Sequence, residues 1–240
     1  MNFNDIETGL SPLIAAMPPR EARWLGRLLR SPAAYDAFTA LENELFVGKE
    51  GAYSGPLLIA SATRGEGRTT MALLLAVLSS AFDRSRRILL VDADTDDGHL
   101  SRLFGPGPWR GGLSELFDGS ASIDECIEPT ALPNLWLTPQ ARDPQGAIRL
   151  SPVPFKQFIE EARNRFDLVV VDSPAAGLNR GVLSLASVVR NVLVVVKYGG
   201  PTREQVASLT ADLQRIEASV LGCVLNQREF VVPRFFYGAS

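Results

Sequence analysis

The sequence is poor in lysine, cysteine and histidine, and each shortage narrows what the protein can be. The basic residues number 24, of which only three are lysines: Lys49, Lys156 and Lys197. Two cysteines, Cys126 and Cys223, are too few for a disulfide framework or a zinc site. Cys223 lies in an apolar run and is predicted to be a small core residue. The single histidine, His99, has no second histidine or cysteine nearby, so we expect a surface residue rather than a metal ligand.

Long apolar runs and a strong net charge are also missing. No uninterrupted apolar run reaches the roughly 18 residues that a membrane-spanning helix needs. The N-terminus lacks the charged and then apolar pattern of a secretory signal. A formal charge of −3 gives no chain-wide cationic field for nucleic acid. We therefore expect a soluble, reduced, cytoplasmic protein that does not bind nucleic acid.

Strand-like and helix-like segments alternate from about residue 56 onward. Apolar runs that are typical of strands lie at 57–60, 88–91, 135–137, 168–171, 192–196 and 220–225. Helical patterns lie between them at 69–82, 155–166 and 204–216. This alternation predicts an α/β fold, in which a mostly parallel sheet carries helices on both faces.

Residues 1–50 differ and are predicted to form an N-terminal helical arm and linker. Four arginines at three- and four-residue spacing share one face of a helix: Arg20, Arg23, Arg27 and Arg30. The other face is predicted to carry Trp24, Leu25, Leu28 and Leu29. Such a helix either packs on its own domain with solvated arginines, the commoner arrangement, or forms a basic surface for a membrane or a partner. A second helical pattern spans 33–46.

The segment 61–70, SATRGEGRTT, has the layout of a phosphate-binding loop between a strand and a helix. Gly65 and Gly67 let backbone N–H groups turn toward an anion, and the helix N-terminus adds positive potential. Thr69 directly follows the basic residue, where a hydroxyl can ligate magnesium. The loop departs from the GxxxxGK[ST] pattern at its first glycine, which is Ala62, and at its lysine, which is Arg68.

Acidic residues follow two of the predicted strands. Asp92 and Asp94 end the run at 88–91, and Asp172 ends the run at 168–171. Ligands of such sheets bind beyond the carboxyl ends of the strands. Three carboxylates facing the loop would form an oxygen-rich site suited to hydrated magnesium. In the alternative interpretation, Asp92 and Asp172 only cap the helices or turns that follow buried strands.

The order of these motifs resembles the bacterial tyrosine kinases (BY-kinases) of capsule and exopolysaccharide systems. These are deviant P-loop ATPases, related to the partition and septum-positioning ATPases. The similar segments are the loop, LLVDAD at 89–94, VVVDSP at 169–174, GCVLN at 222–226, GLSELFDG at 112–119, LPNLW at 132–136 and AFTALENEL at 37–45. The resemblance covers residues 33–228, and it implies a three-layer P-loop ATPase-like domain over 51–228.

The resemblance also implies roles for residues of the site. The phosphates of ATP or ADP would be held by Gly65, Glu66, Gly67, Arg68, Thr69 and Thr70. Asp92 and Asp94 would be the catalytic acids, the first polarising the attacking hydroxyl, and Arg68 would act with them. Magnesium would be held by Thr69, Asp92 and, through water, Asp172. Asn226 would contact the adenine. The family works with a membrane-embedded chain-length-determinant (co-polymerase) subunit, which here implies a separate partner and a peripheral place at the inner membrane.

The loop and its surroundings depart from the family pattern in two ways. Arg68 replaces a compact lysine with a wide planar fork, which is not a conservative exchange at a shaped phosphate site. Asp96 and Asp97 stand where the family carries arginine. They either raise the electrostatic cost of binding polyphosphate or only cap the next helix.

Two further departures concern assembly and the tail. The family's EX2RX2R helix for subunit contacts reads Asp36, Thr39 and Glu42 here, so both arginines are absent. An oligomer, if formed, would not use that helix. The aromatic tail, residues 229–240, has Tyr237 as its only tyrosine in place of the family's tyrosine cluster.

Together these observations predict a BY-kinase-like nucleotide-binding component whose catalysis is weak or lost, a pseudokinase that acts by docking. One alternative is an active tyrosine autokinase or ATPase with Arg68 as the phosphate clamp. A second is a partition-type positioning switch, although the loop lacks the early signature lysine of that class. A third is a nucleotide-free scaffold.

Overall fold

A seven-stranded sheet organises the protein. The computed structural model describes residues 3–47, 53–95, 98–105, 109–140, 152–177 and 181–227. The strands in chain order are β1 (Gly55–Ala60), β2 (Ile88–Asp92), β3 (Glu128–Pro129), β4 (Leu135–Thr138), β5 (Leu168–Asp172), β6 (Asn191–Lys197) and β7 (Ser219–Asn226). Across the sheet they lie in the order 3-4-2-5-1-6-7. Every neighbouring pair is parallel except β3 and β4, which confirms the prediction of a mostly parallel sheet.

Helices cover the sheet on both faces. In chain order they are α1 (Phe3–Ala16), α2 (Pro19–Leu29), α3 (Pro32–Glu42), α4 (Arg68–Phe82), α5 (His99–Leu103), α6 (Leu113–Asp118), α7 (Ile123–Cys126), α8 (Pro152–Arg165), α9 (Gly181–Val189) and α10 (Arg203–Arg215). Successive strand residues point to opposite faces. Accordingly Leu57 and Ile59 join the apolar core that contains α4, whereas Leu58 joins the core that contains α8 and α9. The predicted three-layer α/β architecture is confirmed.

The N-terminal arm packs on the domain that follows it. Leu10 and Leu13 of α1 and Leu25 and Leu29 of α2 are buried in the same core as α4. The three arginines of α2, and Arg30 directly after it, are exposed to solvent. The apolar face of the helix therefore packs on its own domain, and its basic face remains on the surface. After α3 the chain continues as a π-helical turn at Asn43–Val47.

Three local features differ from the prediction. Cys223 is exposed rather than part of the core, because β7 is the last strand of the sheet and its residues alternate between exposed and half-buried. Trp24 is 36% exposed rather than apolar-facing, because at about 100° per residue it lies beside Arg20 and Arg27. The antiparallel edge strand β3 was not predicted, since two residues carry no periodicity.

One further prediction is confirmed, and others concern residues outside the described ranges. His99 is exposed, as predicted. Asp96, Asp97 and the tail with Tyr237 lie outside the described residues. Among the residues that are described, no helix combines the length and the apolar character needed to cross a bilayer.

Candidate functional site

The candidate site lies where the central strands end. Asp92 at the end of β2 and Asp172 at the end of β5 are register partners in adjacent strands, and Asp172 is in turn paired with Ile59 of β1. The segment 61–67 leads from β1 directly into α4. Because these strands are parallel, their carboxyl ends share one edge of the sheet. The structure thus brings together the loop and the acids that the sequence predicted to meet.

The backbone of the loop depends on two glycines. Gly65 has a φ of +76° and Gly67 a φ of +95°, a region that side chains disfavour. Gly67 is also the residue that precedes the first turn of α4. A Cβ atom on Gly67 would overlap the side-chain amide nitrogen of Asn226, whereas a Cβ atom on Gly65 would meet nothing within 4 Å. Gly67 therefore serves both the turn and the close approach of β7.

Glu66 fastens the loop from within. It is 1% exposed, and its Oε1 accepts hydrogen bonds from the Thr63 backbone N–H at 2.5 Å and the Thr63 hydroxyl at 3.0 Å. Its Oε2 accepts a hydrogen bond from the backbone N–H of Lys197 at 3.1 Å. The carboxylate of this predicted cofactor-binding residue is thus engaged by protein groups. No local pattern could have found Lys197, which lies 131 residues away along the chain.

Asn226 joins the end of β7 to the loop. Its Nδ2 donates a hydrogen bond to the backbone carbonyl oxygen of Glu66 at 2.8 Å, and its Oδ1 accepts one from the backbone N–H of Gln227 at 2.9 Å. Asn226 therefore lies beside the phosphate loop, with both ends of its amide bound to the protein's own backbone.

The side chain of Arg68 is directed into the protein. It is 8% exposed, and its Nη1 donates a hydrogen bond to the Ser61 hydroxyl oxygen at 2.8 Å. Its Nη2 lies 3.4 Å from Oδ2 of Asp94. Its Nε has no hydrogen-bond partner among the described residues. The guanidinium is thus held behind the loop, at a serine that the sequence did not single out.

Asp92 is a fully buried acid held by the start of α5. Its Oδ2 accepts hydrogen bonds from the backbone N–H of Ser101 at 2.7 Å and from the Ser101 hydroxyl at 2.5 Å. Within the described part of the chain, its Oδ1 has no partner. Burial raises the pKa of Asp92 to about 6, although the Ser101 hydrogen bonds act against this, and the charge of Asp94 adds to the rise.

Asp172 is a second fully buried acid with a raised pKa. Burial and the nearby Asp92 carboxylate raise its pKa well above the ordinary value, while the Thr69 hydroxyl and the Arg68 guanidinium act to lower it. The Thr69 hydroxyl faces this carboxylate without a well-directed hydrogen bond, so that neither Asp172 oxygen has a close partner among the described residues. A proton or a cation would relieve this buried pair of acids.

Asp94 departs from the predicted arrangement. Its carboxylate turns to Arg68, and its backbone carbonyl oxygen accepts hydrogen bonds from the Gly98 N–H at 3.0 Å and from Nε2 of Gln140 at 2.7 Å. Over the described ranges, no three His, Cys, Asp or Glu side chains are grouped so that they could hold a metal ion. The Asp94 carboxylate is therefore engaged by Arg68, while its charge still acts on both Asp92 and Asp172.

The remaining donors still fit magnesium. Asp92 and Asp172 present three carboxylate oxygens without a hydrogen-bond partner in the described structure, and Thr69 in the first turn of α4 adds a hydroxyl. Hard oxygen donors of this kind suit magnesium, which keeps several waters and takes further ligands from phosphates. Thr70 follows in the same turn and is half-buried.

Comparison with known proteins identifies sequences that are similar over most of the chain. No protein-family model matches the chain. The tyrosine-protein kinase CpsD of Streptococcus agalactiae is 28% identical over 203 residues, which is 84% of this chain and 86% of that protein. The succinoglycan biosynthesis transport protein ExoP of Rhizobium meliloti (strain 1021) is 32% identical over 184 residues. These are 75% of this chain but only 23% of ExoP, so the chain spans about a quarter of that longer relative.

Solved structures agree on the fold. The kinase domain of VpsO superposes with a TM-score of 0.71 at 23% identity, over 86% of this chain and all of that one. The septum site-determining protein MinD of Pyrococcus horikoshii, complexed with Mg-ADP, superposes with a TM-score of 0.64 at 23% identity, over 77% and 76% of the two chains. In sequence and in fold, the chain is similar to the bacterial tyrosine kinases (BY-kinases), and it shares its fold with MinD-type ATPases.

Proposed function

We propose that the protein is a nucleotide-binding, BY-kinase-like component of capsule or exopolysaccharide synthesis whose phosphoryl transfer is weak or lost. The observation that carries this proposal is the inward position of Arg68, which is bound to Ser61 and Asp94 behind the loop. The motif order and the curated relatives support the family's setting.

Nucleotide binding is supported by the backbone of the loop rather than by its basic residue. Left-handed conformations at Gly65 and Gly67 precede the N-terminus of α4, a helix of 15 residues. A helix N-terminus offers unpaired N–H groups and a positive dipole end to an anion. The MinD relative complexed with Mg-ADP has the same overall fold. We propose that the segment 65–70 binds the phosphates of ATP or ADP here as well.

Magnesium would be held by Thr69 and, directly or through water, by Asp92 and Asp172. When bound there, the ion would offset negative charge on the phosphates. The two acids supply the driving force for its binding, because both are fully buried and both have raised pKa values. In this proposal Asp92 also orients and polarises an attacking hydroxyl, to the extent that the reaction occurs.

Phosphoryl transfer would be weak because the loop cation is committed elsewhere. A lysine ammonium in this position follows the phosphoryl group as it moves, whereas a guanidinium has a fixed fork geometry. The two terminal nitrogens of Arg68 are already engaged, Nη1 by Ser61 and Nη2 by Asp94. The same ion pair neutralises Asp94, the second predicted catalytic acid.

Docking to a membrane co-polymerase on a separate chain completes the proposal and would place the protein at the inner membrane.

Self-assembly through the family's arginine helix is disfavoured by the environment of position 42. Glu42 is buried, and its Oε1 accepts hydrogen bonds from the Ser79 hydroxyl at 2.8 Å and from Nη1 of Arg86 at 3.4 Å. This residue fastens α3 to α4 and is not available to a neighbouring subunit.

Isothermal titration with Mg-ATP tests the binding part of the proposal, and phosphate release tests the catalytic part. We expect measurable binding that is lost without magnesium, together with phosphate release near background. An absence of heat at high ligand concentration would remove nucleotide binding. Rapid release that Asp172→Ala abolishes would show an active enzyme instead.

A further inference from the structure

Helix α2 presents a basic stripe to the outside. Its three arginines and the arginine that directly follows the helix are exposed, and at about 100° per residue they fall within an arc of about 120°: Arg20, Arg23, Arg27 and Arg30. Trp24 falls in the same arc and is 36% exposed. We call these five residues the arginine stripe. The stripe adds an aromatic side chain to the cationic face that the sequence pattern predicted.

The opposite face of α2 fixes the stripe in place. Leu25, Gly26 and Leu29 are buried against the domain, so the helix cannot roll to hide its arginines. Three of these arginines, Arg20, Arg23 and Arg27, form no ion pair with the described part of the protein. Within the described residues, no carboxylate lies within 4 Å of the guanidinium groups of Arg20 or Arg27, and Arg23 donates only to the Pro19 carbonyl oxygen at 3.1 Å.

The combination of arginines and tryptophan in the stripe indicates what kind of ligand it binds. The whole chain carries a net charge of −3, so four arginines on one exposed helical face are a local exception. Arginines attract an anionic surface, and an exposed tryptophan among them prefers the boundary between headgroups and acyl chains. A soluble polyanion would need the charges alone, whereas a bilayer uses both the charges and the indole.

We propose that the arginine stripe of α2 docks directly on the anionic surface of a lipid bilayer. The proposal does not depend on nucleotide binding or on a protein partner, because it rests on the exposed groups of α2. The helix would lie on the surface with Trp24 at the headgroup level, while Leu25 and Leu29 stay in the core of the protein.

Co-sedimentation of the full chain with vesicles tests this proposal. We expect binding to phosphatidylcholine vesicles that contain phosphatidylglycerol, little binding to phosphatidylcholine alone, and weakening as salt is raised. Each basic side chain near an anionic leaflet contributes about fivefold to partitioning. Replacing all four arginines of the stripe with glutamine should therefore weaken binding at least about 100-fold. The matched control removes four exposed arginines on other helices: Arg102, Arg163, Arg203 and Arg215.

Tryptophan emission provides the second readout. Vesicles should shift the emission of the wild-type protein to the blue, and Trp24→Phe should remove that shift while circular dichroism stays unchanged. The proposal is overturned if anionic vesicles do not bind the protein at low salt, or if the control variant loses as much binding as the stripe variant. It is equally overturned if the stripe is needed for retention on heparin but not for binding to vesicles.

Discussion

The guanidinium of Arg68 and the carboxylate of Asp94 form a buried ion pair behind the phosphate loop, with Nη2 and Oδ2 3.4 Å apart. The side chains of the two residues are 8% and 4% exposed. Removing only one partner of a buried ion pair strongly destabilises the folded protein, because the other charge is left without compensation. The loop cation of this chain is therefore tied to an acid that the family pattern assigns to catalysis.

Arg68→Lys should increase phosphoryl transfer. A lysine ammonium cannot keep both contacts of the guanidinium fork, so it is freer to reach a phosphate. We expect at least about a tenfold gain in ATP-dependent phosphate release, equivalent to about 1.4 kcal/mol of barrier. Arg64→Lys, in the same loop but at an exposed position, is the control. Unchanged release by the Arg68→Lys variant, with Mg-ATP still bound, would show that the Arg68 side chain does not limit phosphoryl transfer.

Asp94→Ala should destabilise the protein far more than the loss of a surface pair. It leaves the Arg68 guanidinium buried and unpaired, at a cost of about 3–5 kcal/mol in the free energy of unfolding. The exposed pair of Arg215 and Asp212, with Nη1 and Oδ1 2.6 Å apart, provides the comparison, and Asp212→Ala should cost less than about 1 kcal/mol. Urea unfolding of both variants measures the difference. Equal losses of the free energy of unfolding would mean that the buried pair contributes no more to stability than the surface pair.

The free energy of unfolding should fall as the pH rises from about 4 to about 6. The folded-state pKa of Asp92 is raised to about 6 and that of Asp172 is raised as well, so the folded protein holds these protons at a pH where the unfolded chain has released them. The stabilisation is present in full below the unfolded pKa values and is lost as the pH passes the folded ones. Asp172→Asn should flatten the profile and weaken stabilisation by magnesium at neutral pH. Urea unfolding across this pH range measures the free energy of unfolding. A free energy that rises with pH would contradict the raised pKa values of Asp92 and Asp172.

Gly67→Ala should impair nucleotide binding more than Gly65→Ala. Both residues have positive φ angles, so each substitution costs about 1–2 kcal/mol of backbone strain. Only the Cβ atom at position 67 would also overlap the Asn226 amide. Titration with Mg-ATP should show the larger loss for Gly67→Ala. Identical losses for the two alanine variants would exclude the contact with Asn226 as the cause.

Much of the fold and the placement of the site could be predicted because they follow from periodicity. Continuous apolar runs gave the strands of a parallel sheet, and parallel strands align Asp92 and Asp172 at one edge. The direction of the Arg68 side chain could not be predicted, since it depends on Ser61 and Asp94 meeting in the interior. The same holds for contacts between distant segments, such as Glu66 with Lys197.

The solvent exposure of two residues at the periphery of the fold could not be predicted from the sequence either. Cys223 lies in an apolar run, yet that run forms the edge strand. Trp24 has leucines as neighbours in sequence, yet its angle on α2 places it among arginines. In both cases the residue type indicates burial, and only the tertiary position decides against it.

The anchoring of Glu42 bears on how easily evolution could reverse the loss of the arginine helix. A return to the family's arginine at position 42 would set a second cation against Arg86, whose side chain is 17% exposed, and would deprive the Ser79 hydroxyl of its acceptor. An arginine at position 42 would thus be tolerated only if Arg86 and Ser79 were changed as well. The contact between α3 and α4 makes these three positions interdependent, so that no single substitution can place the family's arginine there without cost.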